Sequence, residues 1–185
     1  MSDTFESVVK HFEEADVLFK ADPENGSAWA VLGTGGGVWT TCVKVEEEAL
    51  QVVAYHPLSI PEDKRAALAE LIVRIGPRNN TCRLEMDFDE GRLMTRSRVC
   101  FDPECGLSEE TIFAMIGFAI CALDCVHSAV MAILHQGKTA IEAAQILEGD
   151  DGVESEIPHS KRFNLPKPEG EVPWPELPGE ELRNN

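Results

Sequence analysis

Features that mark several large classes of protein are missing or scarce in this chain of 185 residues. Its opening segment has no apolar run of signal-peptide type, because charged residues such as Glu6 and Lys10 interrupt every candidate stretch. We therefore expect a cytoplasmic protein, and in that reducing compartment its six cysteines are expected to be free thiols. Basic residues are scarce, and 16 Lys and Arg against 33 Asp and Glu give a net charge of -17. Such a surface repels phosphate backbones and anionic headgroups, so we expect neither nucleic acid nor membrane as a partner.

Metal and cofactor motifs are missing as well. Cys121, Asp124, Cys125 and His127 are close in sequence, but on a helix His127 lies about 120° from one cysteine and about 160° from the other. No Cys-x-x-Cys or His-x-x-x-His pair elsewhere could complete a zinc site. The glycine-rich run 33–37 lacks the Lys-Ser/Thr ending of a phosphate loop, so a hairpin turn is the better interpretation. We expect no metal and no organic cofactor.

The sequence does not indicate a catalytic site either. Asp124 and His127 are a His–carboxylate pair at helical contact spacing, and no serine or cysteine partner can be placed beside them. Cys100 and Cys105 are spaced for a loop disulfide, although free thiols are expected in the cytosol. The prediction is a protein without catalytic activity. A cysteine-based redox protein or an enzyme of unknown reaction is the alternative, and the accessibility and pKa of the thiols distinguish the two.

What is present is the composition of a globular domain. Hydrophobic residues make up 43% and charged residues 26% of the chain, and the length suits one domain with a tail. We expect a single α+β domain over residues 1–149. Residues 150–185 are acidic and rich in proline, which predicts a tail without a core of its own. Val172, Trp174 and Leu177 are the plausible anchors of this tail on the domain.

Apolar periodicity predicts the order α-β-β-β-α-β-β-α with a last short helix. The fold class is therefore α+β, with an antiparallel sheet of about five strands packed against helices. The predicted elements are a helix over 4–20 that includes Phe19, strands over 27–32, 38–46 and 49–57, a helix from Pro61, a hairpin over 82–101, a long helix from Ser108 to His135, and a short helix capped by Thr139 that buries Ile141, Ala144, Ile146 and Leu147.

The long helix is apolar almost all round. A charged residue, Asp124, near its middle and the lack of a flanking basic cluster favour a buried helix over a membrane span. A sheet covers only one side of such a helix, so we expect a second copy of the chain to cover another. The predicted homodimer interface consists of Phe113, Ile116, Ile120 and Leu123. In the alternative, the first and last helices cover the long helix within one chain.

Several local sequences together resemble the YbjN family of bacterial sensory transduction regulators. They are Trp39, the segment 60–65, the turn 89–91 with Arg96 and Arg98 behind it, and the segment 137–144, within a match that covers roughly residues 5–147. The fold of this family is similar to that of type III secretion chaperones, which are small, acidic, homodimeric proteins that hold an extended segment of a client. The resemblance therefore implies a type III secretion chaperone-like fold and a protein client.

We expect a non-catalytic protein-binding module, chaperone-like or regulatory, that holds a segment of a partner protein. An acidic carrier suits a basic or apolar segment. The predicted contacts lie on the sheet and are Trp39, Tyr55, Arg96 and Arg98. Ordinary core packing is the alternative for the two aromatic residues.

Overall fold

Four helices pack against one face of a six-stranded antiparallel sheet in the computed structural model, which describes residues 3–76 and 82–148. The predicted tail, 150–185, lies outside the described residues. The elements are α1 (Asp3–Glu14), β1 (Leu18–Asp22), β2 (Ser27–Gly33), β3 (Val38–Val45), β4 (Ala49–Ser59), α2 (Glu62–Ile75), β5 (Arg83–Asp87), β6 (Arg92–Cys100), α3 (Glu109–Gln136) and α4 (Ala140–Glu148). The α+β class is confirmed, with six strands rather than about five.

The sheet consists of a four-stranded meander extended by a second hairpin. Its strand order is β1-β2-β3-β4-β6-β5. Helix α2 connects β4 to the hairpin of β5 and β6, and β6 pairs with β4. The glycine-rich run 33–37 forms the turn between β2 and β3, as predicted, and the backbone N–H of Thr34 donates to the carbonyl of Gly37 over 2.7 Å.

The predicted first helix, 4–20, was too long. Helix α1 ends at Glu14, Asp16 takes a positive φ of 53°, and Leu18–Asp22 is instead the edge strand β1. The hairpin to β2 is closed by Asp22, whose carboxylate accepts from the backbone N–H and the side-chain amide of Asn25. Phe19 stands seven residues after Phe12 and so fits the helical stripe, but it reaches the same core from the strand, with its ring centroid 5.6 Å from that of Phe12.

Helix α3 is the centre of the core, and one chain covers it. Ser108 caps its first turn by accepting from the N–H of Thr111, and Gly137 ends it in the left-handed conformation. The sheet, α1, α2 and α4 all contact α3. Among the described residues α3 is the one helix long and apolar enough to cross a membrane by length and composition, and here it packs inside the domain.

The predicted dimer interface is largely inside this core. Ile116, Ile120 and Leu123 are 4%, 2% and 0% exposed within the single chain, and only Phe113 of the four is half-buried rather than buried. The intramolecular alternative therefore accounts for the apolar circumference of α3. These three residues need no second copy to cover them. The homodimer stays a prediction, but the apolar circumference of α3 no longer supports it.

Helix α4 was predicted in the right place, and two of its four predicted inward residues, Ala144 and Leu147, pack on the core. Thr139 and Glu142 form the expected cap, because each accepts a hydrogen bond from the backbone N–H of the other. Ile141 and Ile146 are 51% and 39% exposed, so their predicted burial was wrong. The side chains that pack on the core are Ala140, Ala143, Ala144 and Leu147, which have the spacing i, i+3, i+4, i+7.

Arg65 joins two of the segments that carry the family resemblance. Its Nε donates to the carbonyl of Ile60 over 3.1 Å, and its Nη1 donates to the carbonyls of Phe88 and Asp89 over 2.8 and 2.9 Å. The N–H of Ile60 donates to the carbonyl of Gly91 over 2.7 Å. Gly91 has a φ of +69°, and a Cβ there would lie 2.2 Å from the carbonyl oxygen of Ile60. The start of α2 and the β5–β6 turn therefore form one hydrogen-bonded unit.

We expect Arg65→Ala to lower the free energy of unfolding by about 2 kcal/mol, because three backbone carbonyls lose a charged donor. Arg74→Ala is the matched control, since Arg74 on α2 pairs with the exposed Glu70, and this substitution should cost less than about 0.5 kcal/mol. Urea denaturation measures both. Equal losses in the two variants would contradict the role assigned to Arg65.

Candidate functional site

Side chains that alternate with the core residues of the strands form a second face of the sheet, which we call the open face. The four helices pack on the other face, where Ala54 of β4, Val43 of β3 and Leu93 of β6 belong to the core. No helix among residues 3–76 and 82–148 lies over the open face. The open face includes Leu18, Lys20, Asp22, Ser27, Trp29, Val31, Val38, Thr40, Cys42, Lys44, Ala49, Gln51, Val53, Tyr55, Arg83, Glu85, Asp87, Arg92, Met94, Arg96, Arg98 and Cys100.

An apolar strip crosses the middle of the open face. Trp29, Cys42, Val53 and Arg96 are direct cross-strand neighbours on β2, β3, β4 and β6. Tyr55 lies in the next row and stacks on Trp29, with ring centroids 5.9 Å apart and an interplanar angle of 18°. Burial raises the pKa of the Tyr55 hydroxyl to about 12, so the ring stays neutral at physiological pH. The strip therefore offers a stacked aromatic pair flanked by a guanidinium group.

Cations border this strip, although the chain as a whole is strongly acidic. Six of its 16 basic residues lie on the open face, namely Lys20, Lys44, Arg83, Arg92, Arg96 and Arg98. Arg96 pairs with Glu85 over 2.9 Å and Arg98 with Glu46 over 2.7 Å. Both arginines are a third to a half exposed, and such pairs are worth less than about 1 kcal/mol. Their guanidinium groups can therefore exchange Glu85 and Glu46 for carboxylates of another segment with a small loss of free energy.

The structure separates Trp39 from the other predicted contact residues. Tyr55, Arg96 and Arg98 lie on the open face, whereas Trp39 is 0% exposed and points into the helix-covered core. The prediction of Trp39 as a surface contact was therefore wrong, and core packing accounts for this residue. Trp29 was missed as the aromatic residue of the open face. The run 27–32 is apolar throughout, so only its pairing register assigns Trp29 to one side of the sheet.

A polar cluster surrounds Trp39 at the end of the β2–β3 hairpin. The indole N–H of Trp39 donates to Thr34 Oγ1 over 3.0 Å, and Thr34 Oγ1 donates to Asp124 Oδ1 over 2.5 Å. A Cβ on Gly36 would lie 2.2 Å from the same carboxylate oxygen. The glycine-rich turn therefore allows the hairpin to approach α3 closely.

The same cluster contains a pair of histidines. His56 Nε2 lies 3.1 Å from His127 Nδ1, and both rings pack against Trp39. With His56 Nδ1 accepting from the backbone N–H of Leu58 over 3.2 Å, the proton of the shared hydrogen bond lies on His56 Nε2. In the other tautomer, Nδ1 donates to the carbonyl of Leu58 over 3.5 Å. Burial lowers the pKa of His56 to about 4, a hydrogen bond with Leu58 acts in the opposite direction, and His127 lowers it further.

The predicted pairing of Asp124 with His127 is replaced by two separate contacts. Asp124 binds Thr34, and His127 binds His56. Within the described ranges no three His, Cys, Asp or Glu side chains are arranged to hold a metal ion. The hydrogen bonds of the cluster connect the sheet to α3, and this suits a structural role.

The cysteines are free thiols, and burial raises the pKa of three of them rather than lowering it. Burial raises the pKa of Cys42 to about 12 and that of Cys82 to about 11, and it also raises the pKa of Cys121. A raised pKa leaves less thiolate, which is the reactive form. Cys100 and Cys105 are exposed and unpaired. The buried thiols therefore give no support to the redox alternative.

Comparison with known proteins gives little beyond the fold. No protein-family model and no curated protein matches the chain. Similar solved structures include one described as the structure of the HopA1–SchA chaperone–effector complex, with 14% identity, a TM-score of 0.39, and coverage of 64% of this chain and 90% of that one. A likeness at this level carries no argument about what this chain binds. The resemblance to the YbjN family stays a prediction.

We expect the pH dependence of stability to report on the histidine pair. The folded-state pKa of His56 is lowered from 6.5 to about 4, so between these values the unfolded chain binds a proton that the folded chain does not. Stability contributed by neutral His56 is present above pH 6.5 and is lost as pH falls toward 4, by about 2 to 3 kcal/mol. Urea denaturation of His56→Gln across this range should show a correspondingly shallower slope.

His135→Gln is the control, because His135 is exposed in the last turn of α3 and its loss should leave the slope unchanged. If His56→Gln and the unmodified chain show the same pH dependence of stability, His56 is not the group whose protonation destabilises the fold between pH 6.5 and 4.

Proposed function

We propose that this chain is a non-catalytic protein-binding module, chaperone-like or regulatory, that holds an extended segment of a partner protein on the open face. The observation that carries the proposal is the open face itself. It presents the stacked Trp29–Tyr55 pair, bordered by Arg96 and Arg98, on the side of the sheet opposite the four helices. Aromatic and arginine side chains are the residue types that dominate binding energy at protein interfaces.

The chemistry of the open face suits a segment in which apolar side chains alternate with acidic ones. Apolar side chains of an extended segment would contact the half-buried ring of Tyr55, beside Trp29 and Val31, which are each 8% exposed. Carboxylates on either side would reach the guanidinium groups of Arg96 and Arg98, which bind them in a planar, bidentate manner. The overall charge of -17 favours a basic client elsewhere on the surface. On the open face, carboxylates of a client would compete with Glu46 and Glu85, which pair with Arg98 and Arg96.

The same proposal includes the absence of catalytic activity and a cytoplasmic location. It is supported by the raised pKa values of Cys42, Cys82 and Cys121 and by the structural part that His56 and His127 play in the core. Membership of the YbjN family belongs to the proposal too, supported by the sequence segments that Arg65 brings together.

We expect a fluorescent extended peptide in which glutamate alternates with valine and leucine to bind the full chain. Arg96→Glu and Arg98→Glu should each weaken binding roughly tenfold, since the loss of one charge-assisted contact is worth about 1.4 kcal/mol or more. Fluorescence anisotropy measures this. Arg74→Glu on α2 is the matched control and should have little effect. A peptide with lysine in place of glutamate that binds equally well would refute the proposed chemistry.

The homodimer is also a proposal, and it requires a surface other than the buried residues of α3. Light scattering over a range of concentrations tests it, with an expected mass of twice 20.4 kDa for the pair. A mass that remains at 20.4 kDa as the concentration rises would show that the chain acts as a monomer.

A further inference from the structure

We propose that a groove between α1 and α3 is a second docking site, which takes a basic helical segment of a partner protein and holds one of its large apolar side chains. We call this groove the α1–α3 groove. It lies on the helix-covered side of the sheet, opposite the open face, so the inference does not depend on the client proposed for the open face.

The α1–α3 groove opens where the end of α1 and the first half of α3 meet the end of β2. Its lining includes Phe12, Ala15, Leu32, Phe113, Ile116 and Ile120, and nearly all of the surface exposed inside it is apolar. It holds about 380 Å³ of empty space when its open mouth is included, and only a small part of that space is enclosed. Sites for small molecules instead enclose most of their ligand. The groove therefore suits one side chain of a larger partner.

Phe113 gives the groove a partly open aromatic wall. It is the one residue of the predicted dimer interface that the single chain leaves half-buried, and the ring of His11 on α1 packs against it. Ala15 is half-buried too, whereas Ile116 and Ile120 are 4% and 2% exposed. An inserted apolar side chain would therefore contact Phe113 and Ala15 above a floor that is already closed.

Carboxylates surround the mouth of the groove. Segments 10–16 and 109–113 contain five of them against one lysine, and each lies within four residues of a lining residue, namely Glu13, Glu14, Asp16, Glu109 and Glu110. The Nζ of Lys10 lies 3.5 Å from a carboxylate oxygen of Glu109 and 3.8 Å from one of Glu14, so a single cation serves both helices. Burial lowers the pKa of His11, although Glu14 and Glu109 act in the opposite direction. The imidazole therefore adds little positive charge at physiological pH.

This charge selects the occupant of the groove. A second copy of the chain would place the acidic mouth against its own equivalent across a two-fold axis, and like charges repel. A segment rich in lysine or arginine is attracted instead, because exposed pairs such as Lys10–Glu109 are weak and exchange readily. On a helix, the positions three and four residues to either side of an apolar side chain share its face. A basic helix therefore surrounds one apolar anchor with cations that reach both α1 and α3.

A labelled, alanine-based helical peptide tests the inference, with one phenylalanine and with lysine three and four residues to either side of it. Fluorescence anisotropy with the full chain should detect binding that weakens as salt is added. Replacing the phenylalanine of the peptide by alanine, or its lysines by glutamate, should weaken binding roughly tenfold or more, because each change removes one of the two kinds of contact. A peptide without phenylalanine that binds equally well would show general attraction to an acidic protein and would overturn the inference.

Two pairs of variants assign this binding to the α1–α3 groove. Ala15→Leu fills the groove with a larger side chain and should weaken binding roughly tenfold, whereas Ala114→Leu, at an exposed position of α3, is the matched control and should not.

Glu14→Gln combined with Glu109→Gln should weaken binding to a similar extent. Glu62→Gln combined with Glu70→Gln on α2 changes the net charge equally and should have little effect. Circular dichroism checks that each variant is folded, and the glutamate variants decide the question if Ala15→Leu fails to fold. Controls that weaken binding as much as the groove variants would show that the groove is not the site.

Crosslinking shows where the peptide lies. With p-benzoylphenylalanine in place of its phenylalanine, we expect crosslinks to α1 and α3 near His11 and Phe113, and Tyr55→Ala on the open face should leave binding unchanged. Crosslinks to β2, β3 or β4 would overturn the inference. Failure of the glutamate–valine–leucine peptide to bind the chain bears on the proposed function alone.

Discussion

The architecture depends on the need to cover most of α3. Because this helix is apolar almost all round, one sheet face and three other helices pack against it, and a stripe that includes Ala114, Cys125 and Ser128 stays exposed. Thr95 contributes the buried polar contact, its hydroxyl donating to the carbonyl of Ala119 over 2.7 Å. Because all four helices serve this one purpose, the opposite side of the sheet is left without a helix. The candidate binding surface is thus a by-product of how the core is closed.

Most of the elements could be predicted because capping residues, turn residues and apolar periodicity act over a few neighbouring positions. Ser108 and the glycine at position 137 bound α3 as expected, and the turn residues placed the β2–β3, β3–β4 and β5–β6 hairpins. The wrong predictions occur where the helical repeat of about 3.6 residues and the strand repeat of two both fit the same apolar residues. Phe19 continues a helical stripe and also suits a strand, and the sequence alone does not decide between them. Similarly, α4 has apolar side chains on adjacent faces, and only the position of its neighbours selects the inner one.

The candidate site was less accessible to sequence reasoning because it depends on cross-strand pairing. A strand alternates its side chains, so an assignment to the wrong phase exchanges the two faces. That is why Trp39 was expected at the surface and Trp29 was overlooked. Arg96 and Arg98 lie on the open face because they share the phase of Arg92 and Met94 on β6, opposite to that of the core residue Leu93. The contact of His56 with His127 joins residues 71 positions apart, and neither side chain has a local pattern that predicts the other.

Hydrogen bonds at several heights along α3 also determine its axial position. An apolar helix on an apolar sheet could otherwise slide by one turn, about 5.4 Å, with little change in contact area. Ala119, Asp124 and His127 bind three different strand or turn partners, and a slip would break all of these bonds together and leave buried polar groups unpaired. The domain therefore has one alignment of its central helix rather than several of similar energy.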